Sequence, residues 1–182
     1  MAKIKRVCVF CGSKPGRNPA YAAAARELGA GIAKIGAELV YGAGNCGLMG
    51  IVADSVLESG GSAVGVIPKG FPERVLHKGI TRVVFARDMA ERKLLMESLA
   101  DVFIALPGGI GTLDEIFQPV ALWQLGFMKK PSGFLNVANY YDTLFEFLRR
   151  AKDEGFLPAE TLDSVAVSDS PSGLLDTLAR KL

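Results

Sequence analysis

The sequence predicts an α/β protein with a Rossmann-like, doubly wound parallel sheet and helices on both faces. Three observations lead there. Short continuous apolar runs, the mark of strands buried on both sides, alternate with segments of helical period. Three of those runs are followed at once by glycine-rich stretches, CGSKPG, YGAGNCGLMG and LPGGIGT. No low-complexity linker or internal repeat interrupts the alternation, so residues 1–182 are read as a single domain of ordinary size.

The elements follow in order. Arg6 to Phe10 reads as a buried strand, Pro19 to Lys34 as an alanine-rich helix, Glu38 to Tyr41 as a strand and Leu48 to Glu58 as a helix. Ala63 to Ile67 and Thr81 to Ala86 are strands on either side of a polar loop. Asp88 to Ala100 is a helix, Val102 to Leu106 a strand, and Thr112 to Leu125 a helix that Pro119 should kink. Ser132 to Val137 is a strand and Tyr140 to Glu154 a helix. A short strand at Val165 to Val167 and a helix from Ser172 close the chain. In such a fold ligands bind at the carboxyl ends of the strands, which is where all three glycine-rich stretches leave.

Composition narrows the partners. A net charge of +2 gives no general basic surface for nucleic acid, so affinity for anions must be local. The apolar run Val7 to Cys11 is far shorter than the ~7–15 residues of a signal-peptide core, and nothing approaches the ~18 apolar residues of a membrane span. A cytoplasmic protein with no membrane contact is expected. Cys8 and Cys11 in one strand, an odd number of residues apart, should face opposite sides of the sheet, and Cys46 has no nearby second ligand. No metal and no cofactor are predicted. His77, alone in a polar loop, reads as a solvated or locally bonded side chain.

The glycine stretches carry the chemistry. Gly42-Ala43-Gly44-Asn45-Cys46-Gly47 spells the dinucleotide fingerprint, which also wants an acid about 20 residues on. Ile67-Pro68-Lys69 stands there instead, so the stretch is a tight turn or a part of a nucleotide pocket in which Gly42 and Gly44 contribute. Ser13, in CGSKPG, leaves the first strand at the same edge. Gly108, Gly109, Ile110, Gly111 and Thr112 open a helix with backbone N–H groups unobstructed, a setting suited to phosphate. No Lys-Ser/Thr pair follows, so this is not a nucleoside-triphosphate loop. The competing reading is structural: Thr112-x-x-Glu115 has capping-box spacing. Arg92 falls within the apolar face of its helix, either snorkelling to water or paired with a carboxylate or phosphate, with Lys93 at the edge of that face.

These residues resemble the LOG (Lonely guy) family of phosphoribohydrolases, many of whose relatives carry the older label of lysine decarboxylase. The resemblance rests on PGGIGTLDE, on ERK at Glu91 to Lys93, and on VCVFCGS, YGAGNCGLMG, GVIPK, WQLG and KPSGFLNVANYYD, which together run through nearly the whole chain. Nothing indicates a pyridoxal-phosphate lysine with its aspartate partner. The resemblance implies hydrolysis of the N-glycosidic bond of purine or cytokinin nucleoside 5'-monophosphates to free base and ribose 5-phosphate. It also implies Arg92 and Glu115 as the catalytic pair, Gly108, Gly109, Gly111 and Thr112 as the phosphate loop, and a homodimer. Arg92 would either hold Glu115 ionised or contact the phosphate, and Lys93 would border the pocket. The alternative from another class is a non-catalytic nucleotide-binding or sensor protein.

The chain departs from the family pattern at three places. Ala90 stands where the family has histidine, Arg74 where it has glutamate, and Ala121 where it has threonine. If those positions face the base, hydrogen-bond discrimination between AMP and N6-isopentenyl AMP should be weak.

Overall fold

A computed structural model describes residues 3–182. Seven strands, β1 (Arg6–Phe10), β2 (Glu38–Tyr41), β3 (Ser62–Pro68), β4 (Arg82–Ala86), β5 (Val102–Ala105), β6 (Ser132–Leu135) and β7 (Ala166–Ser168), form one sheet in the order β4-β3-β2-β1-β5-β6-β7. Every pairing is parallel. The order reverses at β1, so the loops leaving β1 and β5 part there and open a crevice at the carboxyl edge of the sheet.

Alternation along the strands sorts the two cores. Val7, Val9 and Cys11 pack with α1 (Pro19–Lys34), α2 (Gly47–Glu58) and α7 (Pro171–Lys181) on one face. Cys8 and Phe10 pack on the other face with α3 (Met89–Leu99), α4 (Ile110–Gln124) and α5 (Asp142–Asp153). The two cysteines therefore face apart, as their spacing predicts, and burial pushes both thiols well up from their ordinary value. Fully buried side chains such as Leu28, Ile32 and Ile116 each stabilise this packing by roughly 1.5–3 kcal/mol.

Local chemistry sets the helix ends. Asn18 caps α1 by accepting from the Ala20 N–H at 3.0 Å, with Pro19 as the first helical residue, and Ser170 caps α7 through the Gly173 N–H at 3.1 Å. Three differences from the sequence reading bear on function. Helix α4 starts at Ile110 rather than Thr112, so Thr112 already lies inside the first turn. Tyr140 and Tyr141 precede α5 instead of opening it, following a short 3₁₀ turn at Val137–Asn139. The short helix α6 (Ala159–Ser164) lacks the length to show a period and was not anticipated.

Candidate functional site

Helix α3 places its arginine through its own start. Asp88, in extended conformation, accepts from the Glu91 N–H at 2.8 Å, and the Glu91 carboxylate turns back to Arg87, its Oε1 2.9 Å from Nε. The next residue is Arg92, whose side chain crosses to the sheet edge: Nε donates to the Val66 carbonyl at 3.1 Å, and Nη1 lies 2.9 Å from Glu115 Oε1 on α4. Both partners are almost wholly covered, at 11% and 12% exposure, so neither the snorkelling arginine nor the capping glutamate describes them. The cap of α4 is Gly109, with no side-chain bond, and the box-like pairing sits at Asp88 and Glu91 instead. Burial pushes the Glu115 carboxyl above the ordinary value of 4.5; the Arg92 charge pulls the other way and Asp114 adds to the rise.

The glycines of the fingerprint-like loop answer to protein neighbours. A Cβ on Gly42 would strike the Arg92 guanidinium, and one on Gly44 would lie 2.7 Å from Met49 Cε. Gly47 has φ +60°, and a Cβ there would run into the Ser13–Lys14 peptide. Close internal packing accounts for this loop without a dinucleotide.

Two cavities open on the crevice and share Ser13. One, of about 380 Å³, is walled by Gly42, Gly44, Met49, Ile67, Phe71, Val75 and Arg92 and is mostly apolar. The segment after β3 roofs it: Asn45 N donates to Val75 O at 3.0 Å, its side chain to Arg74 O at 2.8 Å, and His77 N to Ala43 O at 2.9 Å. His77 is not solvated. It is buried, and its Nε2 lies 3.0 Å from Asp54 Oδ1 on α2. The second cavity, about 290 Å³, lies between the loops after β1 and β5 and is lined by Ser13, Lys14, Tyr21, Gly108, Gly109 and Tyr140.

Behind the Gly108–Gly109 turn stand two adjacent tyrosines. Tyr140 Oη donates to Gly108 O and Tyr141 Oη to Leu106 O, each at 2.6 Å. Because a trans peptide sets its C=O and N–H on opposite sides, the Tyr140 bond also fixes the direction of the Gly109 N–H. Pro119 removes a donor from α4 four residues after Glu115, leaving the Glu115 carbonyl without its helical partner, although the helix continues through it.

Of the residues singled out in the sequence, Ser13, Gly42, Gly44 and Arg92 line the first cavity, and Ser13, Gly108 and Gly109 the second. Ile110, Gly111 and Thr112 form the first turn of α4, with Ile110 exposed and Thr112 buried. Lys93 lines neither cavity; its Nζ is 3.0 Å from Asp114, beside the Arg92–Glu115 pair. Ala90, Arg74 and Ala121 line neither cavity, although the Arg74 carbonyl accepts from the Asn45 side chain at the roof of the first. Tyr140, Met49, Phe71 and Val75 escaped the sequence reading. The paired tyrosines of NYYD were the one visible signal.

Residues 49–178 match the model of a protein family described as "Possible lysine decarboxylase". The chain is 45% identical over 157 residues to cytokinin riboside 5'-monophosphate phosphoribohydrolase LOG7 of Arabidopsis thaliana, spanning 86% of this chain and 72% of that protein. It is 42% identical over 174 residues to the cytokinin riboside 5'-monophosphate phosphoribohydrolase of Rhodococcoides fascians, with 94% and 87% covered. Among solved structures, the molybdenum cofactor binding protein of Rippkaea orientalis superposes with a TM-score of 0.74 at 20% identity, over 97% of this chain and 96% of that one. At that identity the likeness shows a shared fold.

Proposed function

Because this chain belongs to the LOG family of cytokinin riboside 5'-monophosphate phosphoribohydrolases, we propose that it hydrolyses purine nucleoside 5'-monophosphates, AMP and cytokinin nucleotides among them, to free base and ribose 5-phosphate. The observation that carries this reading is the buried Arg92–Glu115 pair, held at 2.9 Å between an apolar cavity and the open start of α4.

The chemistry follows from that placement. Breaking the glycosidic bond sends its electrons to the base and leaves positive charge on the sugar, which a fixed carboxylate stabilises. Water then adds to the anomeric carbon and gives up a proton, while the departing base gains one. Arg92 engages Oε1 of Glu115, leaving Oε2 for the sugar or the water. The 5'-phosphate sits at the α4 N-terminus, where free N–H groups and the helix dipole favour it, and supplies the positioning energy. The apolar cavity takes the base, so Met49, Ile67, Phe71 and Val75 govern base preference rather than positions 74, 90 and 121.

The assembly we propose is a homodimer formed around the end of α4. Leu125 and Phe127 are 65% and 80% exposed there, and beside them a nearly wholly apolar cavity of about 190 Å³ is lined by Phe117, Val120, Leu148 and Leu157. A monomer by light scattering at micromolar concentration overturns the dimer. A cytoplasmic setting is supported by three cysteines that form no disulfide.

A panel of nucleoside 5'-monophosphates, with released base and ribose 5-phosphate separated by chromatography, tests the reaction. Base release that requires the 5'-phosphate is expected. Equal cleavage of adenosine and AMP, or no release from any nucleotide, overturns it and leaves the non-catalytic nucleotide-binding reading.

A further inference from the structure

The cations near the cavities differ in what they have left to offer. Arg92 is committed to Glu115 and Lys93 to Asp114. A phosphate monoester carries about −1.5 to −2 charges at neutral pH, whereas a helix N-terminus opposes it with only about half a unit charge. Lys14 lines the cavity that Gly108 and Gly109 open onto, is exposed, and makes no ion pair among the described residues.

Its backbone is nonetheless fixed. Gly12 N donates to Pro107 O at 3.1 Å, and Gly12 O accepts from Leu48 N at 3.0 Å, tying the loop to both neighbouring glycine-rich stretches. Gly47 admits the Ser13–Lys14 peptide where any side chain would exclude it. The result is a rigid loop wedged between the starts of α2 and α4, bearing a long cationic side chain with no ion-pair partner among the described residues. That arrangement suits an anionic guest that arrives and leaves. It also gives the third glycine of the fingerprint-like motif a use, since that glycine seats the lysine.

Resting on the reading of this crevice as the nucleotide site, we infer that Lys14 is a substrate-binding residue. Its ammonium contacts the 5'-phosphate of the nucleotide and of the ribose 5-phosphate product, and it sets the preference for phosphorylated over unphosphorylated ribosides. The loss on removal falls on binding of the phosphate, because the charge it meets is the same before and during glycosidic cleavage.

Calorimetric titration of the full chain with ribose 5-phosphate, together with steady-state kinetics on AMP, tests this in the wild type, Lys14→Ala and Lys14→Arg. Lys14→Ala should weaken ribose 5-phosphate about tenfold and raise KM for AMP by a similar factor, a typical loss for one charge-assisted bond. Inhibition by adenosine should not change, and Lys14→Arg should recover most of the loss. The difference between wild type and Lys14→Ala should shrink as salt is raised. Ribose 5-phosphate affinity in Lys14→Ala within twofold of the wild type overturns the assignment, even if the wild type hydrolyses AMP. A wild type that releases no base yet binds ribose 5-phosphate through Lys14 sinks the hydrolase reading and supports the phosphate contact. A wild type that does not bind ribose 5-phosphate at all overturns the Lys14 contact.

Discussion

The loops Gly42–Gly47 and Gly108–Gly111 each hold three glycines and leave the same edge of the sheet, yet they use glycine in different ways. In the first, each glycine makes room for a neighbour in the protein: the Arg92 guanidinium, the Met49 side chain, the Ser13–Lys14 peptide. In the second, Gly108 is crowded by Thr112, but apart from the adjoining residues and the helix's own backbone no heavy atom comes within 4 Å of the place a Cβ would occupy on Gly109 or Gly111. Open space alone is common at surface glycines, but at the start of α4 it coincides with the place proposed for the phosphate. On the proposed function, one loop builds the machinery and the other faces the ligand.

The sharpest test of that division removes the machinery's centre. Glu115→Gln should lower kcat on AMP about a thousandfold, worth about 4 kcal/mol of transition-state stabilisation. A variant that keeps more than a tenth of wild-type kcat would show that the carboxylate is not at the reacting bond. Gly42→Ala comes next. It forces the guanidinium off its seat while leaving the cores alone, so kcat should fall about a hundredfold, roughly 2.7 kcal/mol, with folding retained by circular dichroism. Near-normal turnover in that variant would erase the distinction between the loops.

Gly109→Ala probes the other side of the comparison and should do less. With open space around the new methyl, the melting temperature should stay close to that of the wild type, while KM for AMP rises about tenfold as the methyl enters the phosphate's space. The comparison inverts if Gly109→Ala costs more in melting temperature than Gly42→Ala and leaves KM unchanged.

Much of the fold could be read because its strands are covered on both faces and stand out as unbroken apolar runs between helical periods. The site could be read only in part. Arg92 and Glu115 were visible as a charge on an apolar face and an acid one turn into a helix, but Thr112-x-x-Glu115 and Asp88-x-x-Glu91 offer the same capping spacing. What separates them is backbone conformation: Asp88 is extended at φ −150°, whereas Thr112 is already helical. Met49, Phe71 and Val75 could not be found in the chain, because the cavity wall they share is assembled from α2 and the segment after β3 only when the sheet closes. For His77 the sequence left a solvated and a bonded side chain as alternatives, and only the fold decides for the bonded one, since its partner Asp54 lies on a different element.

The smallest effect expected is in the pH profile, and it carries a sign. Burial raises the Glu115 carboxyl above 4.5 despite the Arg92 charge, with Asp114 adding to the rise. A raised value means that the proton is held more tightly, so the ionised form that the proposed mechanism uses is lost at a higher pH than an ordinary glutamate would show. The profile is best read on kcat, which reports the enzyme–substrate complex, since phosphate itself titrates near 6 and would blur kcat/KM. Its acid limb should therefore fall above 4.5. Removing the carboxylate neighbour by Asp114→Asn should move the limb down, because one cause of the rise is gone. Removing the opposing charge by Arg92→Gln should move the limb up in whatever activity survives. A limb at or below 4.5, or an upward move in Asp114→Asn, would mean that a group other than Glu115 sets the acid side of the reaction.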